Sequence, residues 1–523
     1  MLNYPYLLEK YKKIEAPGPF IPIAGAVLAI AAAMYGIKTV LRNGWSGTHN
    51  VKKYRVIPTP PGSVLFFGHK LLLGDIPAHK IAEWHKELGP ILKVKMGNED
   101  WIYVADAGMA YELFTLEDSL TSNSLHFMCG DAIYGGEEGR TAFGHDDAKW
   151  KDIRSVMLQF LSPSSFRRSY ATLQEEAQKT VDLLIKKTRQ HGSVDPLSFI
   201  RFNSINIILK TSLGQQGAKS LHDPLYRCLM NRDGVYLQYT TIRKPWSWMS
   251  HLHRLFSRET SPMNALYAPL QRVIQRARKS DTDNVVKRLD LLKEEYVIDE
   301  HNIAAITGEL LVAGMDALSS ATAWTLAILC HHPDVQQNLA REIDSFIIKH
   351  YRFPTFDDLP ELPYYNTLLK ECLRFRPPVY FGIPRKASKD VVCRNYLIPK
   401  GSTIVGNIHA ISHDNYVVQD PEKFLPERFQ YDSRTLHAGA YEGSEAHYAF
   451  GWKKRICPGI SLAEAQIFNI VTKVMSRCTI EPAIASNGQD EYPNLDDGRS
   501  VGATVVPGPF KLRFVERSDR TIV

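Results

Sequence analysis

The chain has 523 residues, of which 44% are hydrophobic and 23% are charged, a composition typical of an ordinary globular protein long enough for several domains. Its net charge of +7 is spread over the whole length without a lysine/arginine tract, which argues against a nucleic-acid-binding protein. The seven cysteines are odd in number and include no C-x-x-C pair, which argues against a disulfide framework and indicates a reducing compartment.

The N-terminal region contains an apolar stretch, because residues 16–37 carry no charge. A helix from Pro22 to Leu41 would be about 30 Å long, enough to span a bilayer. Three lysines precede the stretch and five lysines and arginines follow it, which favours a cytosolic body. We predict a lumenal tail at 1–17 and a transmembrane anchor at 18–41. A cleaved signal peptide is the alternative, disfavoured by the length of the stretch.

Basic residues and prolines follow the anchor and predict a basic, proline-rich linker at 42–62. One domain is predicted after it, at 63–523. Short alternating runs at 91–94 and 101–104 predict strands, and helical patterns dominate from there to about residue 375. Residues 119–145 contain several glycines, but the G-x-G-x-x-G spacing is absent, which favours a flexible loop over a phosphate loop.

Two segments in the middle of the chain have more than one interpretation. Trp150 and Arg154 are four residues apart and share a helix face, which an ordinary amphipathic helix would also explain. Residues 225–260 are rich in tyrosine, tryptophan and phenylalanine. These aromatic side chains could pack in the core, or they could form an access lid at a membrane surface.

The longest apolar helix is predicted from about Asn302 to Cys330. Its part from Leu310 to Cys330 could be taken for a second membrane span. Asp316 and the hydroxyl residues that follow it argue instead for a buried helix beside a polar cavity.

The segment from Phe450 to Gly459, F-G-W-K-K-R-I-C-P-G, places one cysteine between two glycine turns, ahead of another helical run. A thiolate at a helix start is stabilised by the helix dipole and by nearby cations, both of which lower its pKa. Cys457 could therefore be a nucleophile, a metal ligand or a structural cysteine in a turn. Arg455 could pair with a carboxylate of a metal-carrying group.

These segments, in this order, resemble the cytochrome P450 superfamily of haem-thiolate monooxygenases. The family's cysteine-loop pattern is F-G-x-G-x-R-x-C-x-G, and Lys453 stands here in place of its second glycine. The residues that match this pattern are Phe450, Gly451, Arg455, Cys457 and Gly459. Trp150 and Arg154 match the family's W-x-x-x-R helix.

The resemblance continues in two further segments. Glu371 and Arg374 match the E-x-x-R helix, and residues 424–429 contain the P-E-R-F segment with Arg428. In the family these three charged residues form one buried network.

The long helix is similar to the family's oxygen-activating helix, whose pattern is A/G-G-x-D/E-T-T/S. Ala313, Gly314 and Asp316 match, but Ala317 stands at the threonine position. In the family that hydroxyl helps to deliver protons, and an alanine cannot donate one. Ser319, Ser320 or a hydroxyl of the substrate could replace it, so Asp316, Ala317 and Ser320 are the candidate catalytic positions.

The resemblance implies a mainly α fold with small β-sheets, preceded by one N-terminal transmembrane helix. The cofactor would be haem b, with Cys457 as the iron ligand. Trp150, Arg154 and Arg385 would contact the haem propionates. The remaining cofactor-binding positions would be Phe450, Arg455 and Gly459.

The implied function is insertion of one oxygen atom from O2 into a steroid-, fatty-acid- or terpenoid-like substrate. No flavin or dinucleotide motif is present, so electrons would come from NADPH through a separate reductase, with cytochrome b5 as a second candidate donor. Lys453 and Lys454 could dock that donor or could form a solvated basic turn. The implied location is the endoplasmic reticulum membrane, with the catalytic domain facing the cytosol.

Two other functions remain open. An isomerase, dehydratase or peroxygenase that starts from a peroxide would need no NADPH and no proton relay, which Ala317 suggests. A non-catalytic haem or sterol sensor is disfavoured, because it would have little need for an acidic residue beside a cavity.

Overall fold

A computed structural model describes residues 54–97, 99–116, 123–124, 148–167, 169–230, 262–296, 298–432, 448–501 and 503–518. The predicted lumenal tail, the membrane anchor and most of the linker lie outside this part of the chain. Most of the glycine-containing segment and the aromatic residues from 231 to 261 also lie outside it. By internal contacts the chain divides into residues 1–56 and residues 57–523.

Helices make up most of the second unit. In chain order, the α-helices of the described residues are α1 (Pro77–Leu88), α2 (Ala107–Tyr111), α3 (Ala148–Leu161), α4 (Pro163–Arg167), α5 (Tyr170–His191), α6 (Leu197–Thr211), α7 (Pro224–Met230), α8 (Pro262–Lys279), α9 (Val285–Leu291), α10 (Glu300–His331), α11 (Pro333–His350), α12 (Pro363–Phe375), α13 (Ile408–Ser412) and α14 (Ile460–Arg477). Four of the longer ones, α1, α8, α11 and α12, begin with proline, which has no N–H to leave unsatisfied in a first turn.

The strands of the described residues form four small sheets. They are β1 (Ile91–Met96), β2 (Glu99–Val104), β3 (Asn123–Ser124), β4 (Arg385–Lys386), β5 (Val391–Cys393), β6 (Tyr396–Ile398), β7 (Thr403–Gly406), β8 (Cys478–Ile484), β9 (Asp490–Glu491), β10 (Gly498–Val501), β11 (Thr504–Pro507) and β12 (Leu512–Glu516). The largest sheet has the order β1-β2-β7-β4-β3, and β7 joins β2 in parallel with Trp101 opposite Thr403. Both predicted strands, at 91–94 and 101–104, are confirmed as parts of β1 and β2.

The proline-rich segment is tied to the first sheet. The Pro58 carbonyl accepts a hydrogen bond from the Lys93 amide at 2.8 Å, and the Pro60 carbonyl lies 2.8 Å from Nε2 of His69. An extended proline-rich backbone leaves its carbonyls free to accept such bonds. The folded unit therefore already includes Pro58 and Pro60, which the sequence had assigned to the linker.

The long helix α10 crosses the middle of the unit. Its N-terminus is a capping box, in which the Asn302 amide donates to Asp299 at 2.7 Å and the Asn302 side chain accepts from the Asp299 amide at 3.4 Å. Because α10 is apolar on all faces, it is buried along most of its length. Among the described helices it is the one long and apolar enough to cross a membrane, and its burial fits the predicted core helix.

The charged network predicted around α12 is present. Glu371 is fully buried, and its carboxylate accepts two hydrogen bonds from Arg374, each of 2.8 Å. Nε of Arg428 donates to the same carboxylate at 3.1 Å, and the Leu425 amide donates at 2.9 Å. The network joins α12 to the segment that leads towards the cysteine loop.

Candidate functional site

The cysteine loop, residues 448–459, contains two short 3-10 turns and ends immediately before α14. The turns are Tyr448–Phe450 and Lys453–Arg455. The Cys457 amide donates to the Phe450 carbonyl at 2.8 Å, which closes the loop behind the cysteine. The Gly459 amide lies 3.4 Å from Sγ of Cys457, so the first residue before α14 donates to the sulfur.

The electrostatics of Cys457 differ from the expectation. Burial raises the pKa of the Cys457 thiol above its usual value, although the Gly459 amide and the nearby Arg154 guanidinium act to lower it. The two predicted effects, from the helix start and from a nearby cation, do lower the pKa, but desolvation of the thiolate is larger than both. A thiol that resists ionisation is a weak nucleophile, whereas a bound metal ion deprotonates a coordinating thiol. The site therefore fits a metal ligand better than a nucleophile.

Helix α3 lies against the loop through the predicted tryptophan and arginine. An Nη2 group of Arg154 donates to the Ile456 carbonyl, next to Cys457. Trp150 is buried, and the guanidinium of Arg455 lies 4.1 Å from the centre of its ring, with that of Arg154 at 5.4 Å. Two cations therefore share one aromatic ring beside the cysteine.

A third arginine reaches the loop from strand β4. Arg385 is buried, and it donates to the carbonyls of Phe114 and Trp452, each at 3.1 Å. Phe114 belongs to a π-helical turn, Glu112–Leu116, that directly follows α2. Arg154, Arg385 and Arg455 thus converge on the cysteine loop, where they could pair with the carboxylates of an anionic cofactor.

The ring of Trp452 fills a slot between two glycines. A Cβ atom on Gly382 would lie 2.9 Å from this ring, and one on Gly406 would lie 2.8 Å from it. The Phe114 ring packs on the same indole with its centre 4.9 Å away. Trp452 and Phe114 were not singled out from the sequence, because Trp452 stands at an unspecified position of the cysteine-loop pattern, Phe114 stands in no motif, and the two are far apart in the chain.

The predicted catalytic positions lie on α10. Ala313 is exposed although Val312 and Met315 are buried, and Ala317, one turn on, is half-buried. This face of α10 therefore borders an accessible space. Gly314 points elsewhere, since a Cβ atom there would lie 2.5 Å from Cδ1 of Ile208 on α6. The small size of Gly314 therefore serves helix packing.

The two serines after Ala317 are hydrogen-bonded to backbone carbonyls. The Ser320 hydroxyl donates to the Val505 carbonyl of β11 at 2.6 Å, and Nε1 of Trp324 donates to the same oxygen at 2.8 Å. The Ser319 hydroxyl donates to the Asp316 carbonyl at 3.2 Å. Asp316 itself is buried. These bonds use the hydroxyl hydrogens that a proton relay would need.

The donor set fits an iron porphyrin. A half-buried sulfur, three arginines around its loop and two small residues on the accessible face of α10 are the groups that such a cofactor would use. By contrast, the described part of the chain contains no cluster of three or more histidine, cysteine or carboxylate side chains that could hold a bare metal ion.

The comparison with protein families agrees with this donor set. The chain belongs to the cytochrome P450 family, whose model matches residues 58–514. Similar proteins include cytochrome P450 monooxygenases from Arthrobotrys oligospora, with 28% identity over 491 residues, and from Penicillium expansum, with 28% identity over 518 residues. The first match covers 88% of this chain and 89% of the relative, and the second covers 94% of each. The chain is thus a haem-dependent oxidoreductase of the monooxygenase class.

The fold is shared with solved structures. A zebrafish cytochrome P450 solved with abiraterone has a TM-score of 0.68 at 20% identity, covering 84% of this chain and 100% of that one. A second zebrafish structure, with progesterone, has the same TM-score at 22% identity and covers 84% and 99%. The predicted fold class, mainly α with small sheets, is confirmed.

Proposed function

We propose that this monooxygenase inserts one oxygen atom from O2 into a lipophilic substrate, using electrons from NADPH that a separate reductase delivers. When bound, haem b would supply the oxygen-activating chemistry. The observation that carries the proposal is the closed loop around Cys457, in which an amide donates to a half-buried sulfur and three arginines contact the loop. Cys457 would bind the iron, and Trp150, Arg154 and Arg385 would contact the haem propionates.

The substrate class is proposed from the residues that border accessible space. Ala313 and Ala317 on α10 are apolar and small, and Ile383, between α12 and β4, is 40% exposed. Apolar lining of this kind binds ligands by burying their hydrocarbon surface. A steroid-, fatty-acid- or terpenoid-like molecule has such a surface.

Proton delivery in this protein would differ from the family pattern. Ala317 has no hydroxyl, and the hydrogen bond from Ser320 to Val505 weighs against Ser320 as the donor. We propose that Asp316 acts through ordered water or through a hydroxyl of the substrate. General acid delivery needs a donor within about 3 Å, directly or through one water.

The same observations support a second candidate. A haem-thiolate peroxygenase, isomerase or dehydratase starts from a substrate that already contains the activated oxygen, so it needs no relay hydroxyl. Ala317 and the backbone-bonded serines are compatible with this chemistry. The two candidates predict different dependence on NADPH.

The membrane anchor and the partners belong to this proposal too. An anchor at 18–41 would hold the catalytic unit at the cytosolic face of the endoplasmic reticulum. Lys454 and the basic residues near it would attract an acidic flavin domain, with cytochrome b5 as a second donor.

The first experiment is the spectrum of the reduced, carbon-monoxide-bound protein. We expect the red-shifted Soret band of thiolate-ligated haem for the native chain and its loss in Cys457→His. Cys228→Ser is the matched control, because Cys228 is another half-buried cysteine, on α7 and outside the cysteine loop. A native spectrum without that band would exclude Cys457 as the ligand.

The second experiment separates the two candidates. Purified protein is given a lipid library, first with NADPH and reductase and then with lipid hydroperoxides alone. Product that depends on NADPH and O2 supports the monooxygenase. Product from hydroperoxide alone, with none from NADPH, would replace it by the second candidate.

A further inference from the structure

Lys453 has an unusual backbone conformation for its residue type. Its φ angle is +44°, in the left-handed region that favours glycine. The residue stands where the cysteine-loop pattern has its second glycine. The loop therefore keeps a glycine-like turn although a lysine occupies the position, and the surrounding contacts must hold it there.

The lysine side chain supplies one such contact. Nζ of Lys453 donates to the Thr115 carbonyl at 2.8 Å, across 338 positions of sequence. Thr115 lies near the end of the π-helical turn Glu112–Leu116, whose preceding carbonyl, that of Phe114, accepts from Arg385 at 3.1 Å. Carbonyls at a helix C-terminus attract cations. Two cations thus bind consecutive carbonyls at the end of this turn.

The backbone of Lys453 is linked to the cysteine through a short chain of bonds. Its carbonyl accepts from the Ile456 amide at 2.9 Å. The Ile456 carbonyl in turn accepts from Arg154, and the next residue is Cys457. A change in the turn at Lys453 would therefore move the peptide that precedes the sulfur.

We propose that Lys453 is a positioning residue, in which the bond from its side chain to Thr115 holds the left-handed turn and so fixes Cys457. In this chain the hydrogen bond from Lys453 to Thr115, called the tether below, would stabilise the left-handed turn that glycine adopts without strain in the family pattern. Only the spectroscopic consequence of this role rests on the proposed haem-thiolate function. It also separates Lys453 from Lys454, which the sequence had grouped as one docking surface.

The test compares Lys453→Met, Lys453→Gly and Lys453→Arg with Lys454→Met in the full-length protein. Lys453→Met keeps the strained turn and loses the tether. Lys453→Gly loses the tether but relieves the strain, and Lys453→Arg keeps a donor. Lys454→Met is the control, because it removes the same charge from the adjacent exposed position.

The first readout is hydrogen–deuterium exchange of peptides covering 448–460 and 107–116, with and without haem. We expect exchange in both segments to rise about tenfold in Lys453→Met, as the loss of one charged hydrogen bond implies. Lys453→Gly should show the rise in 107–116 but little rise in 448–460, because glycine adopts the left-handed turn without the side-chain bond, whereas Lys453→Arg and Lys454→Met should match the native protein.

The second readout is the rate at which the reduced, carbon-monoxide-bound form loses its thiolate spectrum in mild urea. We expect faster loss in Lys453→Met, a rate closer to that of the native protein in Lys453→Gly, and the native rate in Lys454→Met. If Lys453→Met matches Lys454→Met in both readouts, or if Lys453→Gly loses the thiolate spectrum as fast as Lys453→Met, the positioning role is wrong. A native protein that never shows the thiolate spectrum would contradict the proposed function instead, while exchange without haem would still test the tether.

Discussion

Ala317 is the residue at which this chain departs most clearly from the chemistry of its family. It is half-buried beside the exposed Ala313, and the hydroxyls of Ser319 and Ser320 donate to backbone carbonyls. The small side chains on this face of α10 therefore leave space for a ligand, while the hydroxyl hydrogens of the two serines are already donated to carbonyls. A water molecule, or a substrate with a hydroxyl group, would supply the missing proton donor.

Restoring the hydroxyl at this position is the first prediction. We expect Ala317→Thr to raise the fraction of consumed NADPH that appears as product, because a threonine hydroxyl can hold a relay water. Ala317→Val is the control, since valine has the shape of threonine without its hydroxyl. The measurement is the ratio of product and hydrogen peroxide to NADPH consumed. Equal ratios for the two variants would show that another group already delivers the protons.

At the scale of elements, the crossing of α10 over α6 depends on Gly314. The helix backbone approaches so closely that a Cβ atom would overlap Cδ1 of the buried Ile208. The crossing fixes where α10 passes through the unit, and so where Ala313 and Ala317 face the accessible space.

This packing gives a double-mutant prediction. We expect Gly314→Ala to destabilise the fold by about 1–3 kcal/mol through overpacking, partly offset by the better helix propensity of alanine. Ile208→Val removes the overlapping methyl group and alone costs about 0.5–1.5 kcal/mol. The double variant should be more stable than the sum of the two changes implies. Urea unfolding followed by circular dichroism measures all three, and strict additivity would mean that the two residues do not meet.

The Glu371 network joins α12 to the chain that leads to the cysteine loop. Its carboxylate is fully buried between two guanidinium groups, and Arg374 also donates to the Ser412 and Pro421 carbonyls at 3.1 Å and 2.9 Å. Removing the carboxylate charge would leave the buried Arg374 and the half-buried Arg428 without their compensation.

We therefore expect Glu371→Gln to cost about 3–5 kcal/mol of folding free energy, the usual effect of breaking a buried ion pair. Glu427→Gln changes a neighbouring exposed glutamate and should cost less than about 0.5 kcal/mol. Yield of folded protein and urea midpoints provide the comparison. A Glu371→Gln protein as stable as the control would show that the network is not needed for folding.

For the whole molecule, several histidines are buried in an uncharged form. Burial lowers the pKa of His85 and of His413 to about 4 in each case, from an ordinary value of 6.5. The cations Arg374, Arg376 and Lys86 also lower the pKa of His413, whereas its bond to the His409 carbonyl acts in the opposite direction. The pKa of His409 is lowered even further, again mainly by burial.

The consequence is loss of stability in acid. Between pH 6.5 and about 4 the unfolded chain binds protons at these histidines that the folded chain does not, so stability falls as the pH falls. Each such histidine contributes a slope of about 1.4 kcal/mol per pH unit in this window. We expect His413→Gln to flatten the slope and His191→Gln, at an exposed position, to leave it unchanged. Urea midpoints measured from pH 7 to pH 4 test this, and an unaltered slope in His413→Gln would contradict it.

Local features of the sequence were good guides to the elements of the fold. Strands β1 and β2, the extent of α10 and the end of the helical region at Phe375 follow from periodicity and from proline positions. The pairing of Glu371 with Arg374 and Arg428 followed from the order of motifs. The tether from Lys453 to Thr115, the slot for Trp452 and the bond from Ser320 to Val505 could not be predicted, because each joins segments that the sequence does not relate.

The sequence by itself determined the cysteine that can bind a metal, the arginines and tryptophan that accompany it, and the alanine where a threonine is usual. These features depend only on the type and spacing of residues, which the sequence contains directly. Only the tertiary structure decided that burial outweighs the helix start and the cations at Cys457, and that the Ser320 hydroxyl donates to a distant strand. Desolvation and hydrogen-bond partners depend on which distant segments pack around a group, and that packing exists only in the folded chain.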